Sequence, residues 1–255
     1  MLRSFIAVCL LIVVNLCAPR SLAGIVVYDF SGIIGAQTAL QPTAYVPQVA
    51  AWDLKRGSGL TMPSGLNSFN SGHWHDASPA DYVSFGFTVA AGHRAQLTVL
   101  TLTSRSSGAG PGAMTLRSSR DDFGTDLFSW TQAPNSDTTV SADLSELGEV
   151  LGATEFRIFS SSNQSANGGA ISTAGTWRIG SINAPGTSNL MTIGGEVSAI
   201  SAVPEPASWL LLTMISCASL LTKLSTRARP LAVAPLAWPN TPSASDGSTN
   251  AKRQF

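Results

Sequence analysis

DYVSFGFTVA, residues 81–90, decides the fold class. Val83, Phe85, Phe87 and Val89 alternate with Tyr82, Ser84, Gly86 and Thr88. A period of two gives an extended chain one apolar face and one polar face, so this stretch reads as a half-buried strand. Comparable runs recur on both sides, at 25–30, 96–103, 113–118, 127–131, 155–159, 176–182 and 190–197, with Gly, Ser, Asn and Pro between them. Of the 23 glycines, 22 fall between Gly24 and Ile200, a density that leaves no room for an amphipathic helix of a dozen residues. Only a short helix near 144–151 is expected. The pattern predicts an all-β core, a β-sandwich or jelly roll, over residues 24–200.

The whole chain has 255 residues, 44% hydrophobic and only 12% charged, about half the charged fraction usual in a soluble domain. An ordinary cytosolic enzyme is a poor match. Lys+Arg and Asp+Glu are both 15, yet the core from Gly24 to Ile200 holds 8 basic and 13 acidic residues, a net charge of −5. Such a core is unsuited to nucleic acid, which needs a basic face that releases counterions. Cys9, Cys17 and Cys217 all fall outside the core, which excludes a disulfide framework, a thiolate zinc site and a cysteine nucleophile within it. Packing and backbone hydrogen bonds must hold it together.

Two apolar runs flank the core. Residues 1–23 read as a secretory signal peptide, with Arg3 as the positive region, 5–16 as the apolar region and Ser21-Leu22-Ala23 as a small-residue cleavage site. Near the other end, residues 207–224 read as a single transmembrane helix. Their uncharged stretch from Ala207 to Thr222 spans 16 residues, ~24 Å as a helix, slightly short of a ~30 Å hydrocarbon layer. Lys223, Arg227 and Arg229 form a stop-transfer basic cluster that stays on the cytoplasmic side, which puts the core outside the cytoplasm. The tail within 225–255 is rich in Pro and small polar residues and is expected to be disordered.

Pro204-Glu205-Pro206, in the linker 201–206, precedes the second run directly. The two prolines lack amide donors and keep this tripeptide extended and accessible. A Pro-Glu-Pro motif, an apolar span and a basic cluster, joined to an N-terminal signal peptide, resemble the PEP-CTERM sorting signal of exported bacterial proteins. The resemblance implies an exosortase as processing partner, with Pro204, Glu205 and Pro206 as recognition residues. It also implies transient membrane anchoring, then release to the cell surface or extracellular matrix. The tail of 26 residues after Arg229 departs from that pattern, in which the basic cluster usually ends the chain. The core resembles the middle domain of planctomycete-type proteins of that family through VAAWDLKRGSGL at 49–60, YVSFGFTV at 82–89 and LRSSRDDF at 116–123. That resemblance implies a β-sandwich and no assigned activity.

Candidate chemistry within the core is sparse. His73 and His75 share one side of an extended segment, with Asp76 and Asp81 nearby, but nothing fixes a third zinc ligand. Asp121, Asp122 and Asp126 crowd one turn and are the best calcium candidates. Trp52, Trp74, Trp130 and Trp177 are candidate stacking platforms for sugar rings, and Trp74 is the one favoured as exposed because Gly72, His73, His75 and Asp76 around it are loop-like. There is no G-x-S-x-G elbow, and Gly108-Ala-Gly-Pro-Gly-Ala leads into a strand pattern where a dinucleotide loop needs a helix. The reading is a non-enzymatic exported envelope or matrix protein without a cofactor. Its alternative is a secreted carbohydrate-binding module that binds polysaccharide, with calcium in a supporting role.

Overall fold

The computed structural model describes residues 24–201 except 75–77 and 183–188. The expected signal peptide at 1–23, His75, Asp76, Pro204-Glu205-Pro206, the expected span at 207–224, the basic cluster and the tail therefore lie outside the described residues. Among those described, no helix is long and apolar enough to cross a membrane.

In chain order the strands are β1 (Gly24–Asp29), β2 (Ala39–Leu40), β3 (Ala44–Tyr45), β4 (Val49–Ala51), β5 (Leu54–Arg56), β6 (Phe69–Gly72), β7 (Tyr82–Val89), β8 (His93–Ser106), β9 (Ala113–Ser118), β10 (Phe128–Thr131), β11 (Asp137–Asp143), β12 (Glu149–Val150), β13 (Ala153–Ser160), β14 (Thr176–Ile179) and β15 (Leu190–Ala199). They form two antiparallel sheets. The first runs β3-β1-β15-β8-β14-β6, with β11 and β12 on the other edge of β8. The second runs β10-β9-β13-β7-β5-β2, with β4 beside β5 along β7.

The alternation in β7 holds as read. Val83, Phe85, Phe87 and Val89 are buried, while Tyr82, Ser84 and Thr88 face outward. Phe85 stacks on Phe156, its register partner in β13, with ring centroids 5.6 Å apart. Val26, Leu97, Leu100, Ile179, Met191 and Ile193 of the first sheet complete one shared apolar core between the layers. The expected helix near 144–151 is instead one 3-10 turn, Ser145–Leu147, followed by β12. Leu144 and Val150 bury their side chains against the sheet, and Gly148 takes φ +64°, so helical propagation stops after a single turn.

The strand directions place the rest. Ala199, at the end of β15, pairs with His93, at the start of β8, and Ile200 N–H donates to the Gly92 carbonyl at 2.8 Å. The start of β7 and the end of β13, where Tyr82 faces Phe159, lie at the opposite end of the second sheet.

Candidate functional site

The outward row of β7 begins with Tyr82, a large aromatic on an otherwise small and polar face. β13 runs antiparallel beside it and sets Phe159 opposite Tyr82, Arg157 opposite Ser84 and Glu155 opposite Gly86. β9 follows on the far side of β13 and sets Arg117 opposite Arg157. Two guanidinium groups and two aromatic rings thus share one patch of the outer face.

Neighbouring carboxylates relieve the repulsion between the arginines. Glu155 takes a bidentate pair from Arg157, with Nε to Oε1 at 2.8 Å and Nη2 to Oε2 at 3.2 Å. Asp126 accepts from Arg117 Nε at 2.6 Å, and Arg117 Nη1 also donates to the Phe123 carbonyl at 3.4 Å. The Arg157 guanidinium lies between two rings, 4.3 Å from the centroid of Tyr82 and 3.9 Å from that of Phe123. Arg117 sits 5.3 Å from the Phe159 centroid. Planar groups held by bidentate pairing and by stacking on both faces are fixed in direction before any ligand arrives.

Phe123 reaches Arg157 from a strained turn. After the 3-10 turn Ser119–Asp121, both Asp122 (φ +55°) and Phe123 (φ +61°) are left-handed. A bulky residue there is an outlier that costs on the order of 1–3 kcal/mol, and such strain persists where the surroundings enforce it and clusters at binding sites. Together Ser78, Asp81, Arg117, Asp122, Phe123, Arg157 and Phe159 line a cavity of about 380 Å³. Asp81 is buried and packs against Gly59, where a β-carbon would overlap its carboxylate.

The residues singled out from sequence fare differently. Trp74 is fully buried, so it is not the exposed stacking platform expected from its loop-like neighbours. Its ring packs edge-on against Trp177 at 5.7 Å, and its indole N–H donates to the Ser71 carbonyl at 3.0 Å. Trp130 approaches Trp177 at 6.5 Å from the other sheet, so these three tryptophans belong to the core. Trp52 alone of the four candidates lies on the outer face of the second sheet, across Gly86, with its Nε1 donating to Thr88 Oγ1 at 3.1 Å.

The three acids of the calcium reading have different surroundings. Asp126 is engaged by Arg117, Asp122 lines the recess, and hydrogen bonding from the Thr125 hydroxyl, then from the Thr125 and Gly124 amides, holds the Asp121 carboxyl below the usual carboxylate range. Among the described residues no three His, Cys, Asp or Glu side chains converge on a metal position. His73 Nδ1 lies 3.3 Å from the Gly59 carbonyl, while His93 sits at the other end of the sandwich.

Arg117, Arg157, Phe123, Phe159 and Tyr82 were not identified from sequence. The available signal was Tyr82 itself, an aromatic at an outward position of an alternating strand.

Fold and recess define an antiparallel β-sandwich with an aromatic and charged recess on the outer face of one sheet. No protein-family model matches the chain, and no curated protein matches it. Among solved structures, a mutant of a family 29 carbohydrate binding module aligns at TM-score 0.33 and 10% identity, over 66% of this chain and 90% of that one. A family 36 module in complex with calcium and xylotriose aligns at TM-score 0.28 and 12% identity, over 68% and 98%. Arthrobacter globiformis T6 isomalto-dextranase, complexed with panose, aligns at TM-score 0.25 and 12% identity, over 61% and 32%. Likeness at this level carries no argument about this chain, and the recess stands on its own geometry.

Proposed function

We propose that this protein is an exported, non-enzymatic binding module whose recess holds a neutral sugar of a polysaccharide. One observation carries the reading: aromatic rings at Tyr82, Phe123 and Phe159 alternate with two clamped guanidinium groups, and the carboxylates of Asp81 and Asp122 balance their charge. A sugar ring has the complementary surface, with apolar C–H faces that stack on aromatic rings and hydroxyls that bridge donors and acceptors. A phosphate or carboxylate ligand would meet four acids around the two arginines, which disfavours it. Because the arginines are already held, little side-chain entropy is lost on binding.

The check is affinity electrophoresis of the exported protein in gels containing glucan, mannan or xylan. Retardation by at least one of these is expected, and Phe159→Ala, which removes a ring lining the recess, should weaken it about tenfold or more. Absence of retardation in all three gels would end this reading.

The same proposal places the chain outside the cytoplasm, with an exosortase as processing partner and the membrane as a transient one. Support comes from the order of the signal peptide, Pro204-Glu205-Pro206, the span and the basic cluster. Mass spectrometry of the mature protein is expected to find its N-terminus at Gly24 and its C-terminus close to Pro206. A mature chain that keeps residues 207–224 would replace sorting with a permanent anchor.

A further inference from the structure

We infer that the binding surface continues from the recess along β7 to Trp52, so that the protein reads an extended polysaccharide chain through two aromatic stations separated by a polar step. The inference rests on the glycan reading above and adds ligand length and direction to it.

Trp52 occupies the junction where β4 ends and β5 begins along the edge of β7. Its backbone N–H donates to the Gly86 carbonyl at 2.9 Å, which fixes the chain there. Its ring lies over Gly86, and a β-carbon at that position would come within 3.0 Å of the indole Cε3 and closer still to the Thr154 carbonyl. Gly86 interrupts the outward row with a bare backbone on which the indole rests. The bond from Nε1 to Thr88 Oγ1 sets the ring's rotation. A half-buried tryptophan held on the outer face of a sheet has no role in the core, which lies on the opposite face of β7.

Gly86 and Tyr82 are four residues apart on a regular strand, about 13 Å. That separation exceeds the length of a disaccharide. Between the stations the outer face carries Ser84, with Lys55 opposite it on β5 and Arg157 opposite it on β13. These side chains offer donors at the height of a sugar's hydroxyl edge. The order aromatic, polar, aromatic along one straight strand matches a linear chain lying parallel to β7, one ring on Tyr82 and Phe159, the next over Ser84 and a further one on Trp52.

The experiment is calorimetric titration of the exported protein with cello-, manno- and xylo-oligosaccharides, from disaccharide to hexasaccharide. Affinity is expected to rise at least tenfold from the disaccharide to the hexasaccharide. Trp52→Ala should remove that gain and leave disaccharide binding unchanged, whereas Trp52→Phe should keep most of it. The phenylalanine variant also shows that any loss reflects the ring rather than a disturbed fold. Phe159→Ala should weaken every length. Equal affinity for all lengths in the native protein, or equal losses at every length in Trp52→Ala, overturns the track and leaves the recess standing. Failure of every oligosaccharide to bind overturns both.

Discussion

Trp177→Ala is expected to lower the unfolding free energy by about 3–5 kcal/mol, enough to leave a marginally stable domain largely unfolded at physiological temperature. Trp177 is fully buried on β14, between Ser71 of β6 and Ser106 of β8. Its ring meets Trp74, just past the end of β6, at 5.7 Å and Trp130 from the other sheet at 6.5 Å, so it joins the two layers. Truncation deletes the middle of that cluster and leaves a cavity which two large flanking rings cannot fill by small shifts. The indole N–H of Trp177 is buried without a hydrogen-bond partner. Trp177→Phe should therefore cost no more than about 1.5 kcal/mol, because the lost area is offset by the removal of an unsatisfied donor. Thermal and denaturant unfolding of the two variants separates the outcomes. Equal, small effects would show that the cluster does not join the sheets.

The second large effect is expected at Arg56. This side chain points inward from β5 and reaches the other sheet. Its Nε donates to the Asn70 carbonyl at 2.8 Å and to Ser71 Oγ at 3.2 Å, and Nη2 donates to the Gly35 carbonyl at 2.7 Å. Nη1 serves the Gln37 carbonyl, and the guanidinium carbon lies 3.7 Å from the Phe69 ring centroid. One cation thus serves three backbone carbonyls in two segments, and the Gly35 carbonyl also accepts the Asn70 N–H at 3.2 Å. Burial pulls its pKa down to about 10, which still leaves it charged at neutral pH. Arg56→Met fills similar space but removes these charge-assisted hydrogen bonds, so a loss of about 3 kcal/mol is expected. Arg56→Lys keeps the charge yet lacks the planar fork, and should recover less than half of the loss. The measurement is the denaturant midpoint at constant m-value. If lysine restores full stability, charge rather than hydrogen-bond geometry is what the site requires.

The strands that alternate cleanly were legible. The 81–90 run appears as β7 with its inward row as read, because Val83, Phe85, Phe87 and Val89 meet the core, and residues 113–118 appear as β9. β6 was missed. FNSG has no alternation to detect, since all four of its residues are buried between a sheet neighbour and the surrounding loops. β11 was missed for the opposite reason: DTTVSAD buries only Val140 and Ala142, too few apolar residues to signal a strand. The helix expected near 144–151 failed because a local pattern cannot foresee that Leu144 and Val150 are anchored to a sheet on both sides of Gly148.

The site divides along the same line. Trp74 looked exposed because its sequence neighbours are polar, but burial depends on what packs from elsewhere, and Trp177, a hundred residues away, covers it. Asp126 was singled out because acids cluster in sequence, and its pairing with Arg117 across a hairpin was visible only in the structure.

The sequence by itself determined the all-β class and the inward row of β7, because alternation is a local property written in adjacent residues. It also supplied the expectation of export, since the signal-peptide and sorting-signal readings each rest on contiguous residues. Only the tertiary structure decided which outward residues meet. Tyr82, Arg117, Phe123, Arg157 and Phe159 come from three strands and one turn, and their recess exists through antiparallel register, a relation between segments that no single segment contains.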